Sequence, residues 1–455
     1  MFENYLSIQW FLLVGFGLLF FFLAPLSKTV SEFFSAQEND GKQAGIFVLT
    51  SSLVISWIFA KSITNAANLG MAFGMVGGLA YAVYYFSFIV AGIVIYQMRV
   101  KGGFKSIHSF LETSFGKTAV VIFSLLIGFR LFNEVWSNTM IIGSYFGEQG
   151  SSSYYASILV FTGLTLAYTI KGGLRSSLLT DAIQMVFFGI LIFILLGFIL
   201  PQEEGMIGKF IRSGSWQLGG GINLMLVAFI QIFSYPFHDP VLTDRGFIST
   251  PKITLKSFLF AAIIGFICIA VFSWIGIYGQ FRNLEGEAAV EVSKLLGIGA
   301  MLAMNFIMIT SAASTLDSTF SAFSKLVIID LGKLGKQSVK HGRLAMVFLV
   351  VIGTLPVFAG PEILSATTIS GTMVMGLAPV FLLWSSKAPS LSFHLSVGFG
   401  IFVGILVATG LYPEQLIFSK GKYADLLSAN LFGVIGCFIL FILPLISRKW
   451  TKENE

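Results

Sequence analysis

Long apolar stretches, separated by short polar connections, run through the whole chain. A helix needs about 20 mainly apolar residues to cross the hydrocarbon core of a bilayer, and the sequence offers thirteen such windows. The predicted spans are 6–25, 45–66, 72–97, 118–147, 154–170, 178–200, 220–238, 254–279, 296–329, 343–358, 363–384, 391–410 and 425–446. The ninth is long enough to require tilt, a break or an extension outside the bilayer. The pattern predicts an all-α membrane protein with no soluble domain.

The distribution of charge gives the predicted spans a direction. Glu3 precedes the first span without any Lys or Arg, and Lys28 follows it, so we expect this span to be a retained helix with an external N-terminus. Most of the 28 Lys and Arg residues then fall in loops that lie inside, which is the bias expected for cytoplasmic loops. The odd number of spans places the C-terminus inside. The net charge of +6 therefore reflects membrane topology and does not indicate nucleic-acid binding.

Composition excludes several classes of function. Of 455 residues, 56% are hydrophobic and 11% are charged, and the sequence has no phosphate-binding loop of the G-x-x-x-x-G-K-[ST] type. Cys268 and Cys437 lie in apolar segments, and the four histidines do not have metal-binding spacing. No nucleophile and base can be paired, so an enzyme is not expected. The classes of function that remain are transport and conduction across the membrane.

A polar stretch interrupts the ninth span. The segment from Thr310 to Ser324 carries eight hydroxyl side chains and one carboxylate, Asp317. At helical spacing, one stripe on this helix contains Ser311, Ser314, Thr315, Ser318 and Ser321, with Asp317 at its edge. Oxygen ligands suit a hard cation that has lost its water. The alternative is that these hydroxyls bond to backbone carbonyls four residues earlier or to neighbouring helices.

Ionisable residues inside predicted spans are costly and usually mark functional sites. Arg130 and Glu134 are four residues apart in the fourth span, so a pair on one helix face is one interpretation. In the other, Glu134 pairs with Lys61 or binds a substrate amine, while Arg130 or Lys61 binds a substrate carboxylate. The second span also has a polar run from Lys61 to Gly70, where the helix either unwinds or simply ends.

Two motifs resemble those of the sodium:solute symporter family. The stretch Tyr168-Thr-Ile-Lys-Gly-Gly-Leu-Arg-Ser-Ser-Leu-Leu-Thr-Asp-Ala-Ile-Gln184 is similar to its signature, in which Gly-Gly-Leu is followed by Thr-Asp-x-x-Gln. The stretch Ser314-Thr-Leu-Asp-Ser318 resembles its Ser-Thr-Ala-Asp-Ser motif, with Leu316 in place of alanine. Thirteen spans with the N-terminus outside and the C-terminus inside are also the family pattern.

The resemblance implies a LeuT-like fold with broken helices and a five-plus-five inverted repeat. The implied segments are 1–44 for an extra helix and loop, 45–200 for the first repeat, 219–384 for the second, and 385–455 for two more helices and a cytoplasmic tail. A sodium ion then lies between spans two and nine. The implied ligands are the hydroxyls of Ser314 and Thr315 and the carbonyls of Ser311, Ile55 and Ile58.

The resemblance further implies a second cation site formed by Asp181 with Asp317, Ser318 and Ser314. Around the solute, the candidate side chains are Trp57, Lys61, Ser62, Arg130 and Glu134. The chain departs from the family in two places. Lys61 stands where neutral or acidic residues are usual. The usual Gln-Arg appears instead as Thr243-Asp-Arg245, preceded by Pro236-Phe-His-Asp-Pro240, whose His238–Asp239 pair suggests a loop cap or gate latch.

The leading hypothesis is sodium-coupled symport of a small organic solute, with a carboxylate favoured by Lys61 and Arg130. Sodium is the expected coupling ion, and the expected partners are the solute and the lipid bilayer of the cell membrane. Nucleic acid is not an expected partner, and we expect the monomer to function. One alternative is proton coupling through Asp181 or Asp317. Another is a substrate-gated sensor or channel that has lost coupling.

Overall fold

Long helices dominate the chain because a segment in hydrocarbon must satisfy its backbone hydrogen bonds internally. The computed structural model describes residues 2–36, 43–202, 204–332, 337–360 and 370–453, and these ranges contain no β-strand. The helices are α1 (Phe2–Leu23), α2 (Val30–Ser35), α3 (Ile46–Trp57), α4 (Ala60–Phe73), α5 (Met75–Ala82), α6 (Ser87–Val100), α7 (Ile107–Phe115), α8 (Lys117–Ser144), α9 (Ser152–Gly172), α10 (Leu174–Ile199), α11 (Met206–Arg212), α12 (Ile222–Gln231), α13 (Pro240–Arg245), α14 (Pro251–Phe281), α15 (Ala288–Leu296), α16 (Ile298–Lys325), α17 (Val339–Thr354), α18 (Leu377–Leu382), α19 (Ser390–Ala408) and α20 (Ala424–Glu453).

Within the described ranges, ten helices are long and apolar enough to cross a membrane, and the bent pair α3 and α4 makes up to eleven. This confirms an all-helical protein with many spans. The predicted span 220–238 contains the shorter apolar helix Ile222–Gln231. The predicted span 363–384 begins outside the described residues. The count of thirteen and the orientation of the termini therefore stay predictions, as does the division into two inverted repeats.

The chain divides into two units by its internal contacts. The first unit comprises Met1–Leu79, Leu131–Gly214 and Ile267–Ile363. The second comprises Ala80–Arg130, Ser215–Phe266 and Leu364–Glu455. Within the first unit, α16 contacts α3, α9 and α10. The polar stripe of α16 therefore faces other helices of its own unit.

The second span is broken, but not where its polar run predicted. Helix α3 ends at Trp57 and α4 begins at Ala60, with a bend of 58° between them. Ile58 has φ −78° and ψ 68°, outside the helical region. The polar run that follows stays helical because its side chains find partners on other helices. Asn68, for example, donates to Glu287 at 2.9 Å and accepts from the N–H of Ala288 at 2.9 Å. Neither of the two alternatives for the run from Lys61 to Gly70, unwinding or a helix end, is what the structure has, because α4 is helical from Ala60 to Phe73.

The connection between α9 and α10 is a tight elbow at Gly172 and Gly173. Gly173 has φ +59°, and a Cβ there would lie 2.4 Å from the backbone oxygen of Phe33. The side chain of Phe33, on α2, is buried. Ser27 Oγ donates to the carbonyl of Gly172 at 2.9 Å. The elbow thus fixes the start of α10, the helix that carries Asp181.

Candidate functional site

The hydroxyl stripe of α16 is wholly buried. All eight hydroxyl-bearing residues from Thr310 to Ser324 are buried, as is Asp317. Two of these hydroxyls follow the structural alternative, because Thr310 donates to the Phe306 carbonyl at 2.8 Å and Thr315 to the Ser311 carbonyl at 3.0 Å. Ser311, Ser314, Ser318 and Ser324 contact oxygen atoms of other segments. The hydroxyls of Thr319 and Ser321 are buried without a hydrogen-bond partner among the described residues. The stripe is therefore partly back-bonded and partly a wall of a polar cluster.

Asp181 is the centre of that cluster. Its carboxylate is buried on α10 and accepts hydrogen bonds from Ser52 Oγ at 2.5 Å and from Ser56 Oγ at 3.2 Å, both on α3. Ser314 Oγ of α16 donates to the other carboxylate oxygen. Three helices therefore place hydroxyl groups around one carboxylate. The structure brings the predicted residues Asp181 and Ser314 into direct contact.

Asp317 lies in a second ring of hydroxyls. It accepts from Tyr168 at 2.9 Å, from Ser177 at 2.7 Å and from Thr180 at 2.9 Å. Ser318 Oγ lies 2.9 Å from Ser177 Oγ. A buried carboxylate is strongly unfavourable unless hydrogen bonds and a positive charge compensate it. Each ring supplies the hydrogen bonds, and a bound cation or proton would supply the charge.

The helix break adds a carbonyl to the cluster. Ser311 Oγ donates to the carbonyl oxygen of Ile58, which lies at the break. Ile55 lies inside α3, one turn before that break. Thr315 lies next to Ser314, and since its proton goes to the Ser311 carbonyl, its lone pairs point elsewhere. Of the implied sodium ligands, the structure joins Ile58 directly to Ser311 and Ser314 to Asp181.

The donor set fits a hard monovalent cation. All contributing atoms are hydroxyl, carbonyl or carboxylate oxygens, which are the ligands that such cations prefer. Among the described residues, no three His, Cys, Asp or Glu side chains form a group suited to a metal ion. The residues present therefore fit sodium.

Sequence reasoning missed five hydroxyl partners: Ser52, Ser56, Tyr168, Ser177 and Thr180. A signal was present for most of them. Ser52 and Ser56 are four residues apart and so share one face of α3. Tyr168 and Thr180 belong to the signature stretch that contains Asp181.

Lys61 and Glu134 form a buried ion pair near the break. Lys61 Nζ lies 2.8 Å from Glu134 Oε2, and the two side chains are 2% and 3% exposed. Asn138 Nδ2 also donates to Glu134 at 3.0 Å. Of the two interpretations, the structure therefore supports the pairing of Glu134 with Lys61. Trp57 and Ser62 are buried beside the break, with the Trp57 ring 6.3 Å from that of Phe59.

Arg130 does not pair with Glu134, as the first interpretation of the sequence had it. In the second unit, Arg130 donates to Asp239 at 2.7 Å and to the Tyr235 hydroxyl at 2.8 Å. Asp239 also accepts from the N–H of Val241, at the start of α13. A buried guanidinium takes two acceptors in its fork in preference to one carboxylate on its own helix. Asp239 thus pairs with Arg130 and also caps the N-terminus of α13.

Sequence comparison matched no family model to this chain. Curated relatives are transporters. The chain is 21% identical to the urea active transporter of Saccharomyces cerevisiae, over 94% of this chain and 66% of the relative. It is 22% identical to the urea-proton symporter DUR3 of Oryza sativa, over 90% of this chain and 65% of the relative. A shorter match, 27% identical over 38% of this chain and 27% of the relative, is to sodium/glucose cotransporter 2 of Rattus norvegicus. This chain thus spans about two thirds or less of each relative's length.

Solved structures show the same fold. A Na+-coupled sialic acid symporter superposes with a TM-score of 0.64 at 16% identity, covering 97% of this chain and 96% of the other. A transporter of the nucleobase-cation-symport-1 family gives 0.56 at 11% identity and covers 95% of each chain. Together with the ten apolar helices among the described residues, the transporter relatives indicate an integral, multi-pass protein of the plasma membrane. The chain is therefore similar in sequence to sodium:solute and urea symporters and has the LeuT-like transporter fold, as its two motifs predicted.

Proposed function

We propose that this protein is a secondary active symporter that couples inward movement of sodium to uptake of a small organic solute bearing a carboxylate. Alternating access of the membrane helices would expose the site to each side in turn. Inward movement of one sodium ion supplies about 2.3 kcal/mol per 100 mV of membrane potential, in addition to its concentration gradient.

The observation that carries this proposal is the contact set of Asp181. Hydroxyls of Ser52 and Ser56 from the broken span and of Ser314 from α16 surround one buried carboxylate. The Ile58 carbonyl lies at the same break and contacts Ser311. A cation held there binds both α3 and α16, so its arrival and departure favour different arrangements of the two helices. That is the physical requirement for coupling.

A second candidate is proton coupling through the same carboxylates. Asp181 and Asp317 both lie in rings of hydroxyl groups that stabilise either a carboxylate with a bound cation or a protonated carboxyl. A urea-proton symporter is among the similar sequences. The two candidates share all residues named here and differ only in the ion that compensates the buried charge.

Uptake into proteoliposomes tests the proposal. We expect replacement of external sodium by choline at fixed pH to abolish solute uptake. A proton gradient that sustains uptake in choline would establish the second candidate instead.

The sodium ligands are tested in the same assay. Ser314→Ala is expected to raise the sodium concentration for half-maximal uptake at least tenfold, about 1.4 kcal/mol, because it removes an oxygen from the cage. Ser321→Ala is the matched control: it removes a buried hydroxyl of the same helix that has no hydrogen-bond partner among the described residues. An unchanged sodium dependence in Ser314→Ala would contradict the assignment.

A further inference from the structure

The Lys61–Glu134 pair is unusual for its place in the fold. Both side chains are almost fully buried, and the ammonium lies 2.8 Å from the carboxylate. Lys61 is the second residue of α4, directly after the break, so its charge adds to the positive N-terminal end of that helix. The Lys61 ammonium also lies 5.1 Å from the centre of the Phe59 ring. A pair of charges thus lies directly after the interruption of the predicted span.

Such a pair contributes little to stability on its own. The free-energy cost of removing two charges from water is comparable to the attraction between them. Well-packed apolar side chains in the same place therefore often stabilise the folded protein as much or more. A charged pair inside a span is therefore a candidate for a binding role. The neighbouring polar atoms belong to the same group, because Asn138 donates to Glu134 and accepts from the backbone N–H of Lys61 at 3.3 Å.

A cavity of about 730 Å³ in the same unit is lined by neighbours of the pair on α4 and α8, and not by Lys61 or Glu134 themselves. Thr64 lines it and lies one turn after Lys61 on α4. Ile141 lines it on α8, less than one turn after Asn138. Tyr145 and Tyr154 supply aromatic walls. The volume lies in the usual range of pockets for small molecules.

The balance of charge limits what this pair can accept. A solute with one negative charge would satisfy Lys61 but would place its anion beside the Glu134 carboxylate in a desolvated site. A solute with one positive charge would meet the same difficulty at Lys61. A zwitterion adds no net charge and offers each member of the pair an opposite charge, so neither is left uncompensated.

We propose that the Lys61–Glu134 pair is the recognition site for an α-amino acid, whose carboxylate binds Lys61 and whose ammonium binds Glu134. The inference rests on the proposed function, because it assigns the solute of that symporter. The two charges of an α-amino acid are attached to the same carbon, and the two charges of the pair are in direct contact. Solutes with a longer spacing between their charges fit less well. Trp57 and Phe59 provide an apolar surface for the side chain.

Binding to the purified full-length protein in sodium-containing detergent buffer tests the class directly. The probes are the twenty L-α-amino acids, each compared by calorimetry with the matched monocarboxylate and monoamine, and with urea, β-alanine and γ-aminobutyrate. We expect at least one α-amino acid to bind at least tenfold more tightly than its singly charged analogues and the longer zwitterions. Equal binding of a monocarboxylate, an amine or urea, or no binding by any α-amino acid, would overturn the proposal.

Variants then assign the binding to the pair. Lys61→Met and Glu134→Gln are each expected to weaken amino-acid binding at least tenfold, whereas Lys422→Met, an equivalent change in a different unit, leaves it unchanged. Since each single variant leaves one buried charge, the double variant Lys61→Met/Glu134→Gln provides a form without an uncompensated charge. A folded double variant that binds the amino acid with wild-type affinity would also overturn the proposal.

This experiment is separate from the test of symport because it uses no ion gradient. An amino acid that binds through the pair but is not accumulated by a sodium or proton gradient would overturn the proposed function alone. Gradient-driven solute uptake that is unchanged when Lys61 and Glu134 are substituted would overturn this inference alone.

Discussion

Ser56 Oγ lies 3.0 Å from Ser318 Oγ, and this contact connects the two carboxylate rings. Ser56 also contacts Asp181 at 3.2 Å, and Ser318 contacts Asp317 at 3.3 Å. A hydroxyl donates only one hydrogen bond. A change in the charge of either carboxylate therefore changes the acceptor to which each serine donates. The two proposed cation sites are therefore expected to interact.

The first prediction concerns the second cation site. We expect Asp317→Asn to lower the Hill coefficient of sodium-dependent uptake toward 1, because the amide keeps the shape of the carboxylate but removes its charge. The sodium site at Ser314 remains in this variant, so uptake itself persists at raised sodium. The measurement is initial uptake rate against sodium concentration in proteoliposomes at fixed membrane potential.

Thr319→Ala is the control for this change. Thr319 is adjacent to Ser318 and is buried, and its hydroxyl has no hydrogen-bond partner among the described residues. Its removal is expected to leave the Hill coefficient at the wild-type value. A Hill coefficient in Asp317→Asn that equals that of the wild type would exclude Asp317 as a cation ligand.

The second prediction concerns the stability of the Lys61–Glu134 pair. Glu134→Gln leaves the buried ammonium uncompensated and is expected to cost about 3–5 kcal/mol of unfolding free energy. Lys61→Met has the corresponding effect on the carboxylate. The double variant is expected to recover most of that loss, since no buried charge remains. Denaturant unfolding of the four proteins in one detergent gives the coupling energy of the double-mutant cycle.

An exposed pair supplies the comparison for this cycle. Lys294 Nζ lies 2.7 Å from Glu291 Oε1, with the side chains 53% and 34% exposed. Solvent-exposed pairs contribute about 0.2–1 kcal/mol, so the corresponding cycle is expected to show little coupling. Equal coupling energies for the two pairs would mean that burial does not determine the energy of the Lys61–Glu134 contact.

The third prediction concerns the elbow between α9 and α10. Gly173→Ala is expected to lower the melting temperature clearly, because the residue has φ +59° and the new Cβ would collide with the Phe33 carbonyl. Since this elbow fixes the start of α10 and therefore Asp181, sodium affinity is expected to fall as well. Both quantities are measured on purified protein, with and without sodium.

Gly163 provides the matched control in α9. A Cβ at Gly163 would meet nothing within 4 Å. Gly163→Ala in a helix interior is therefore expected to be neutral or to stabilise the protein by about 0.5–1 kcal/mol. If both alanine variants behave alike, the collision at Phe33 is not a constraint on the elbow.

Much of the candidate cation site followed from the sequence because its signal is local. The hydroxyl stripe of α16 depends only on helical spacing, and Asp181 lies in a signature stretch with fixed spacing. The structure places Asp181 in contact with Ser314, two residues that the family resemblance assigned to one cation site. The apolar windows likewise predicted most spans, since the requirement for about 20 apolar residues is a property of the bilayer.

The remaining features depend on contacts between distant segments. The polar run after Lys61 resembles an unwound segment in the sequence, but Glu134 and Glu287 compensate its polar side chains, and the break falls at Ile58 instead. Arg130 has a carboxylate four residues away and yet donates to Asp239. In both cases the choice between two partners is made by tertiary packing, for which the sequence carries no local signal.

The last prediction uses pH at the short helix α2. The carboxylate of Glu32 accepts from the backbone N–H groups of Lys28 at 2.9 Å and Thr29 at 3.2 Å, and these bonds lower its pKa below the ordinary 4.5. A lowered pKa means that the carboxylate stabilises the folded protein above the unfolded pKa and that this contribution disappears as pH falls through the folded one. At about pH 7 we expect the melting temperature of the wild type to be higher than that of Glu32→Gln. We expect this difference to disappear at about pH 3. Thr29→Ala removes the uncharged part of the same cap, at a cost of about 0.5–2 kcal/mol, and its deficit is expected to be nearly constant with pH. A deficit of Glu32→Gln that persists unchanged at low pH would show that the charge of Glu32 does not stabilise this helix.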